Sequence, residues 1–200
     1  MRVKTESRRQ AIIDTAAQVF CEFGYEAASM SAIAARFGGS KATVYNYFRS
    51  KEELFFEVVR NAAERQQRGS IADVLQTPGS LEEVLQLLGE YIVKTISSPQ
   101  ILAMLRTVMA ESGRSRLGQI FYEKGMQLAW QHVKDYLRDA VQKGQLIAAD
   151  LDQMTRHLKA LYEAQVRDEL LFGVLTEVPD ERRKRIVSEA VAVFLRAYGA

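Results

Sequence analysis

"GGSKATVYNYFRSKEELF", residues 38–55, decides how the chain is read. The glycine pair breaks one helix, and Ser40 is placed to cap another over 41–48. Ser50 with Glu53 forms a capping-box pattern, which predicts a helix from 51 to about 68. Upstream, Ser29 can cap a short helix through Phe37, with Met30, Ile33, Ala34 and Phe37 inward. Two short helices joined by three residues, with glycine in the joint, have the pattern of a helix-turn-helix. The second helix of such a unit enters the major groove of DNA and its first residues meet base edges. Ser40 and Thr43 place hydroxyls at a helix start whose free N–H groups can hold a phosphate, and Lys41 stands beside them. Thr43, Tyr47 and Lys51 follow at four-residue steps and could line a phosphate backbone. Val44 and Phe48 also stand four apart, on another part of the surface, and Phe48 is assigned to the core. Tyr45 and Asn46 remain as base-edge candidates, with Lys41 and Ala42: asparagine can pair with adenine, lysine with guanine, and apolar groups can touch a thymine methyl. A structural reading stands beside this one, in which Tyr45 and Tyr47 pack a small three-helix domain. It leaves the basic head and Lys51 without a purpose.

That head is basic by count. Residues 1–51 carry eight Lys/Arg against four Asp/Glu, whereas the remainder carries 19 against 21, which together give the net charge of +2. A basic head on a mildly acidic body suits a polyanion partner at the head. The chain has 200 residues, 48% of them hydrophobic, enough for one or two domains with a sizeable core. No run of eighteen apolar residues occurs, so no membrane span is expected. The opening MRVKTESRRQ lacks the apolar region of a secretory signal. A single cysteine, Cys21, cannot form an intramolecular disulfide, which fits a reducing, cytoplasmic setting. With only His132 and His157 beside it, no metal site and no cofactor is expected.

The pattern is helical nearly throughout, giving an all-α chain of about nine helices. The first runs over about 6–23, with Ile12, Ala16, Phe20 and Phe23 on one face, Ile13 and Ala17 widening it, and Gly24 as its C-cap. After the polar zone 67–79, Ser80 with Glu83 opens a helix to about 97, and Ser98–Pro99 opens another over 99–112. A long helix over about 116–142 follows, with Gly118 and Gly125 marking a kink or close packing. Asp150 caps 151–173, and Asp180 starts 181–198. These elements divide into a DNA-binding domain over 1–50, a linking helix over 51–70, and a ligand-binding and dimerisation domain over 71–200.

Helices 151–173 and 181–198 are the dimer candidates. Ile186, Ala190, Val193, Phe194 and Ala197 make a face wider than one small core needs, as in an intersubunit four-helix bundle. Docking of the last helix on its own core is the competing reading. Tyr91, Met104, Met109, Phe121, Tyr122, Trp130 and Tyr162 could line an apolar cavity, with Gln127, Gln165, His132 and His157 orienting a ligand. An ordinary helical core would use the same large residues. The helices from Ser98 and from Ser50 are candidate levers between such a pocket and the head.

Residues 24–55, with a GY turn, SK-x-T-x-Y-x-YF and KEEL, resemble the DNA-binding domain of TetR/AcrR-type transcriptional regulators. A looser likeness, RTVMAESGRSRLGQIFYEKG (106–125) with GQLIAADLD (144–152), is to the C-terminal domain of the AefR-like branch. The resemblance implies a two-fold homodimer that binds double-stranded DNA at a palindromic operator. It implies repression relieved by a small, largely apolar or aromatic effector. It implies phosphate contacts by Ser40, Thr43, Tyr47 and Lys51, and a base-reading surface at Lys41, Ala42, Val44, Tyr45 and Asn46. Members often carry an apolar residue where this chain has Gly39, which should loosen the turn, and glycine where it has Ala42. The rival functions are an all-helical enzyme and a protein-binding scaffold. No Cys/His cluster, His-Glu-x-x-His, phosphate loop or G-x-S-x-G supports the enzyme, and a scaffold leaves the basic helix-turn-helix unused.

Overall fold

A computed structural model describes residues 5–66 and 70–200. Its elements are α1 (Glu6–Ala27), α2 (Met30–Phe37), α3 (Lys41–Tyr47), α4 (Lys51–Gln66), α5 (Ile71–Leu75), α6 (Leu81–Ile96) and α7 (Pro99–Glu111). Then come α8 (Leu117–Phe121), a π-helical turn (Tyr122–Gln127), α9 (Leu128–Gln142), α10 (Leu151–Glu163), α11 (Arg167–Leu171) and α12 (Asp180–Tyr198). Since α8, the π turn and α9 run on without a break, the described residues form eleven helices, nine of them seven residues or longer, and no strand. None is long and apolar enough to cross a membrane.

Local chemistry sets most of the boundaries. Ser29, Ser40, Ser80, Ser98 and Asp150 each accept a hydrogen bond from a backbone N–H in the first turn of the helix they precede, a cap that contributes about 1 kcal/mol. Glu83 completes a capping box with Ser80. At Ser50 the box is only half made. Ser50 Oγ accepts the Glu53 N–H at 3.1 Å, but the Glu53 carboxylate takes the Arg49 N–H at 2.8 Å. A second box, Ser70 with Asp73, starts the short α5 inside what reads as a polar zone. Residues 67–69 of that zone, and Arg2 and Lys4 of the basic head, lie outside the described residues.

Two apolar clusters organise the chain. One gathers Ile12, Ala16, Ile33, Val44, Phe48 and Leu54 from α1–α4, and closes with Ile101, Met104 and Val108 of α7 and Leu117 of α8. The N-terminal helices therefore do not seal their core alone, because α7 and α8 complete it. The other cluster joins α6, α9, α10 and α12 around Leu85, Leu137, Leu158, Tyr162 and Phe194. At its centre α6 comes close to α10 and α12 because Gly89 has no side chain: a Cβ there would lie 2.6 Å from the Tyr162 ring and closer still to Val187. The Tyr162 hydroxyl donates to the Leu85 carbonyl at 2.7 Å, which satisfies the one polar atom this ring buries.

Two expectations are corrected. Phe23 is not inward but 51% exposed, with the Arg36 guanidinium 5.5 Å above its ring. Backbone φ turns to +74° at Gly24, so the apolar face ends at Val19 and Phe20 and resumes only at Tyr25. The helix expected over 151–173 breaks after Glu163 and restarts as α11 at Arg167. The long helix over 116–142 is continuous, but it widens into the π turn around Gly125, where a Cβ would meet the Phe56 ring at 3.0 Å.

Candidate nucleic-acid interface

The turn between α2 and α3 is fixed by backbone geometry. Gly38 has φ +76°, its N–H reaches the Ala35 carbonyl at 3.2 Å, and the Gly39 N–H reaches that of Ala34 at 3.1 Å. This double closure is the Schellman ending of a helix, which needs a residue at ease in the left-handed region. At Gly39, where an apolar residue is common in the resembled family, a Cβ would lie 3.0 Å from the Phe37 ring. Any larger residue would have to displace that ring.

From this turn α3 is held by its inward side. Val44 is 0% and Phe48 1% exposed, and the Arg9 guanidinium lies 5.3 Å over the Phe48 ring. Arg9 is itself ion-paired with Glu57, so α1, α3 and α4 are tied at one point. Full burial takes Val44 off the base-reading surface: at the fourth position of α3 its side chain points into the head, not outward. Lys41, Ala42, Tyr45 and Asn46 all face solvent, with the Lys41 ammonium 5.8 Å from the Tyr45 ring centre. Lys41 and Arg49 are exposed and make no ion pair among the described residues.

The four residues expected on phosphates differ in their surroundings. Ser40 and Thr43 share a hydrogen bond between hydroxyls at 2.9 Å, at the start of α3. The half-buried Tyr47 hydroxyl accepts the Thr5 N–H at 3.4 Å, which brings the beginning of the described chain beside α3. Lys51 is already engaged. Its ammonium donates to the carbonyls of Tyr25 at 2.9 Å and Glu26 at 3.3 Å, and sits 4.2 Å from the Tyr25 ring centre. A cation at the first position of α4 opposes that helix's dipole, but the same charge satisfies the C-terminal carbonyls of α1. Burial, then the nearby Glu52 charge, pushes the Tyr25 phenol well above its ordinary range.

A connection not legible in sequence links this head to the body. The Lys124 ammonium of the π turn reaches Glu53 Oε1 at 3.1 Å. Partial burial alone would raise the Glu53 carboxyl. The Arg49 N–H and the Lys124 ammonium outweigh it and hold that carboxyl below its ordinary range. Phe121 meets Phe56 of α4 edge to face at 6.2 Å. The partners are some seventy residues apart in sequence, and no local pattern marks them.

The residues expected to form one ligand cavity are dispersed. Met104 and Phe121 belong to the N-terminal cluster, and Tyr162 is fully buried at the centre of the other. Tyr91 packs partly buried against that second cluster, while Met109 is 57% exposed. Gln165 is exposed and donates to Glu189 at 2.8 Å. Tyr122, Gln127 and Trp130 come together, in an open groove of about 540 Å³ between α9 and α10. His157 contacts the Tyr198 hydroxyl at 2.6 Å, and His132 is exposed. The dimer face is corrected as well. Ile186, Ala190 and Phe194 are buried in the protomer's own core against α6 and α10, which leaves Val193 and Ala197 outward.

Over residues 83–200 the sequence matches the family described as "AefR-like transcriptional repressor, C-terminal domain". Over 12–58 it matches "Bacterial regulatory proteins, tetR family". The chain is 27% identical to the transcriptional regulator UidR of Escherichia coli K12, over 95% of this chain and 91% of that one. Among solved structures it superposes on a TetR-family regulator from Mesorhizobium loti with a TM-score of 0.81 and 27% identity, covering 98% of this chain and all of the other. The Flavonoid-responsive Regulator FrrA aligns with a TM-score of 0.78 and 27% identity, over 98% of each chain.

Proposed function

Because the chain belongs to the TetR family, whose members are DNA-binding transcriptional regulators and not enzymes, we propose that it represses transcription as a homodimer on a palindromic operator, from which a small molecule releases it. The observation that supports this most directly is α3. Lys41, Ala42, Tyr45 and Asn46 stand outward above the buried Val44 and Phe48, at the height where a recognition helix meets base edges. Ser40 and Thr43 take phosphates at the helix start, and Tyr47 takes one beside them. Lys51 contributes charge to that backbone while remaining bound to α1. The exposed cations Lys41 and Arg49 extend the positive surface.

A second copy would be met by the outward stripe of α12, with Val193 and Ala197, by the exposed Ala160 of α10 and by the exposed Ala164 that follows it. Two recognition helices about 34–36 Å apart would then read one half-site each. Residues 1–50 would serve as the DNA-binding domain, 51–70 as the linking helix and 71–200 as the ligand-binding and dimerisation domain. Effector release follows the family's general behaviour, and it requires a ligand that favours one of two domain arrangements.

Selection of bound duplexes from a random pool tests this reading. A palindromic consensus is expected, and Asn46→Ala should change the selected base at one position per half-site. An unchanged consensus would remove Asn46 from the base-reading set. Absence of any preferred sequence would remove the repressor itself.

A further inference from the structure

Several cations of the head lie over aromatic rings, and most of them are committed elsewhere. Arg9 lies over Phe48 and is ion-paired with Glu57. Arg36 lies over Phe23 and is ion-paired with Glu22. Lys51 sits over Tyr25 and donates to two carbonyls. Arg8 differs. Its guanidinium lies 5.7 Å from the Phe37 ring centre, and its side chain makes no ion pair or hydrogen bond among the described residues. Arg8, Ile12 and Ala16 follow at four-residue steps, and the last two are fully buried. Arg8 therefore continues the inward stripe of α1 to the edge of the head, where it is half-buried. An arginine at such an edge covers apolar surface with its stem and keeps its charged end in water.

That edge adjoins the residues proposed on phosphates. Thr5, one turn before Arg8, donates its N–H to the Tyr47 hydroxyl at 3.4 Å. On the other side, a Cβ at Gly39 would touch both the Phe37 ring, at 3.0 Å, and the Thr43 Cβ, at 3.6 Å. Glycine supplies no such atom, so nothing of residue 39 stands between Thr43 and the ring that carries Arg8. Backbone without a side chain is also where a ligand can approach closely. Stacking on a ring holds a guanidinium flat and leaves its in-plane N–H donors for the paired oxygens of a phosphate. A lysine there would offer a point charge without that fork.

We infer that Arg8 is a further operator contact: held flat on Phe37, it binds a phosphate of the strand along which Thr43 and Tyr47 lie. The inference rests on the repressor reading and adds α1 to the DNA-facing surface. Phe37 is the positioning residue, and Gly39 leaves the approach open. The competing role is structural, with Arg8 only shielding Phe37 from water. That role is indifferent to which phosphate of the duplex carries charge.

The full-length protein is titrated across a salt series with the duplex selected from the random pool. Arg8→Met keeps an apolar stem over Phe37 and removes the charge. It should weaken binding by about tenfold or more and lower the salt slope by about one unit per protomer, with the selected sequence unchanged. The phosphate is located by replacing single phosphates of the duplex with uncharged methylphosphonate. At one position per half-site the replacement should weaken the parent and leave Arg8→Met indifferent. That position should differ from those found in the same way with Thr43→Ala and Tyr47→Phe. Gly39→Val, which fills the space beside the ring, should lessen the cost of Arg8→Met, and an undiminished cost would overturn the part given to Gly39. The inference is overturned if Arg8→Met keeps the parent's slope and responds to every methylphosphonate as the parent does, whatever its Tm. It is also overturned if the selected sequence changes, which would make Arg8 a base reader. Should Arg8→Met not fold, the same scan of Arg8→Lys decides: reduced sensitivity at one position supports the contact, and a scan like the parent's removes it. Absence of any preferred duplex for the parent removes the repressor reading and this contact together. Specific binding with unchanged scans removes only Arg8.

Discussion

Replacing Lys51 by methionine separates two roles that the sequence alone assigns to one residue. Methionine keeps an apolar stem of similar length against Tyr25 and removes only the charge and its donors. Two hydrogen bonds from a charged group are lost, at 2.9 and 3.3 Å, together with a cation–π contact at 4.2 Å. A charged hydrogen bond contributes about 1.5–3 kcal/mol, less here because Lys51 is half-exposed and its second bond is long, and an exposed cation–π contact about 0.5–1 kcal/mol. The loss is about 2–3 kcal/mol in total, which for a chain of this size lowers Tm by about 5–10 °C. Thermal unfolding by circular dichroism in the absence of DNA reads this directly. Duplex affinity across a salt series reads the other role, because a phosphate ligand contributes about one unit of salt slope. The expected result is a clear fall in Tm. A variant that melts within about 1 °C of the parent, and loses a full unit of slope, would refute the structural role and make Lys51 purely a phosphate ligand.

Gly89→Ala should cost at least about 2 kcal/mol in urea unfolding, because its methyl would overlap Tyr162 and Val187 from two buried neighbours. The Glu53 carboxyl lies below its ordinary value of 4.5 in the folded chain, so its contribution is present above that value and is lost as pH falls through the folded one. Melting curves of the parent and Glu53→Gln should therefore differ at pH 6 and converge below about pH 4.5, whereas a constant gap would show that the carboxylate charge is irrelevant. Val193→Glu places a charge on the outward stripe of α12 and should yield monomers by sedimentation, with half-site affinity only. A dimer of unchanged strength would move the interface elsewhere.

The helix-turn-helix was legible because its determinants are local. Ser29, Gly38, Ser40 and Ser50 act within four residues of themselves, and a reader of sequence sees each with its partner. The orientation of side chains around α3 was less legible. Seven residues make two turns, too few for a period to separate Val44 from Tyr45 when both are large and partly apolar. Phe23 failed for a related reason, since a helical period was carried into a residue whose neighbour, Gly24, abandons helical angles. The Glu53–Lys124 bond and the seat of Phe56 on Gly125 join segments far apart in the chain, and only the fold brings them together.

The last helix shows what a wide apolar face can and cannot mean. Ile186, Val187, Ala190, Val191 and Phe194 look too broad for one core, and that breadth suggested an interface between subunits. In the structure α12 lies in the angle between α6 and α10, so it buries two adjoining stripes within its own subunit. Gly89 is what lets α6 approach closely enough to cover the second stripe. Breadth measures how many helices a helix touches, not which molecule they belong to. What remains for a partner is the narrow outward set of Val193 and Ala197 beside small residues of α10. Small residues allow close helix approach across a two-fold axis, where each contact occurs twice. A modest outward stripe is therefore compatible with a stable dimer, provided that α10 and α12 contribute together.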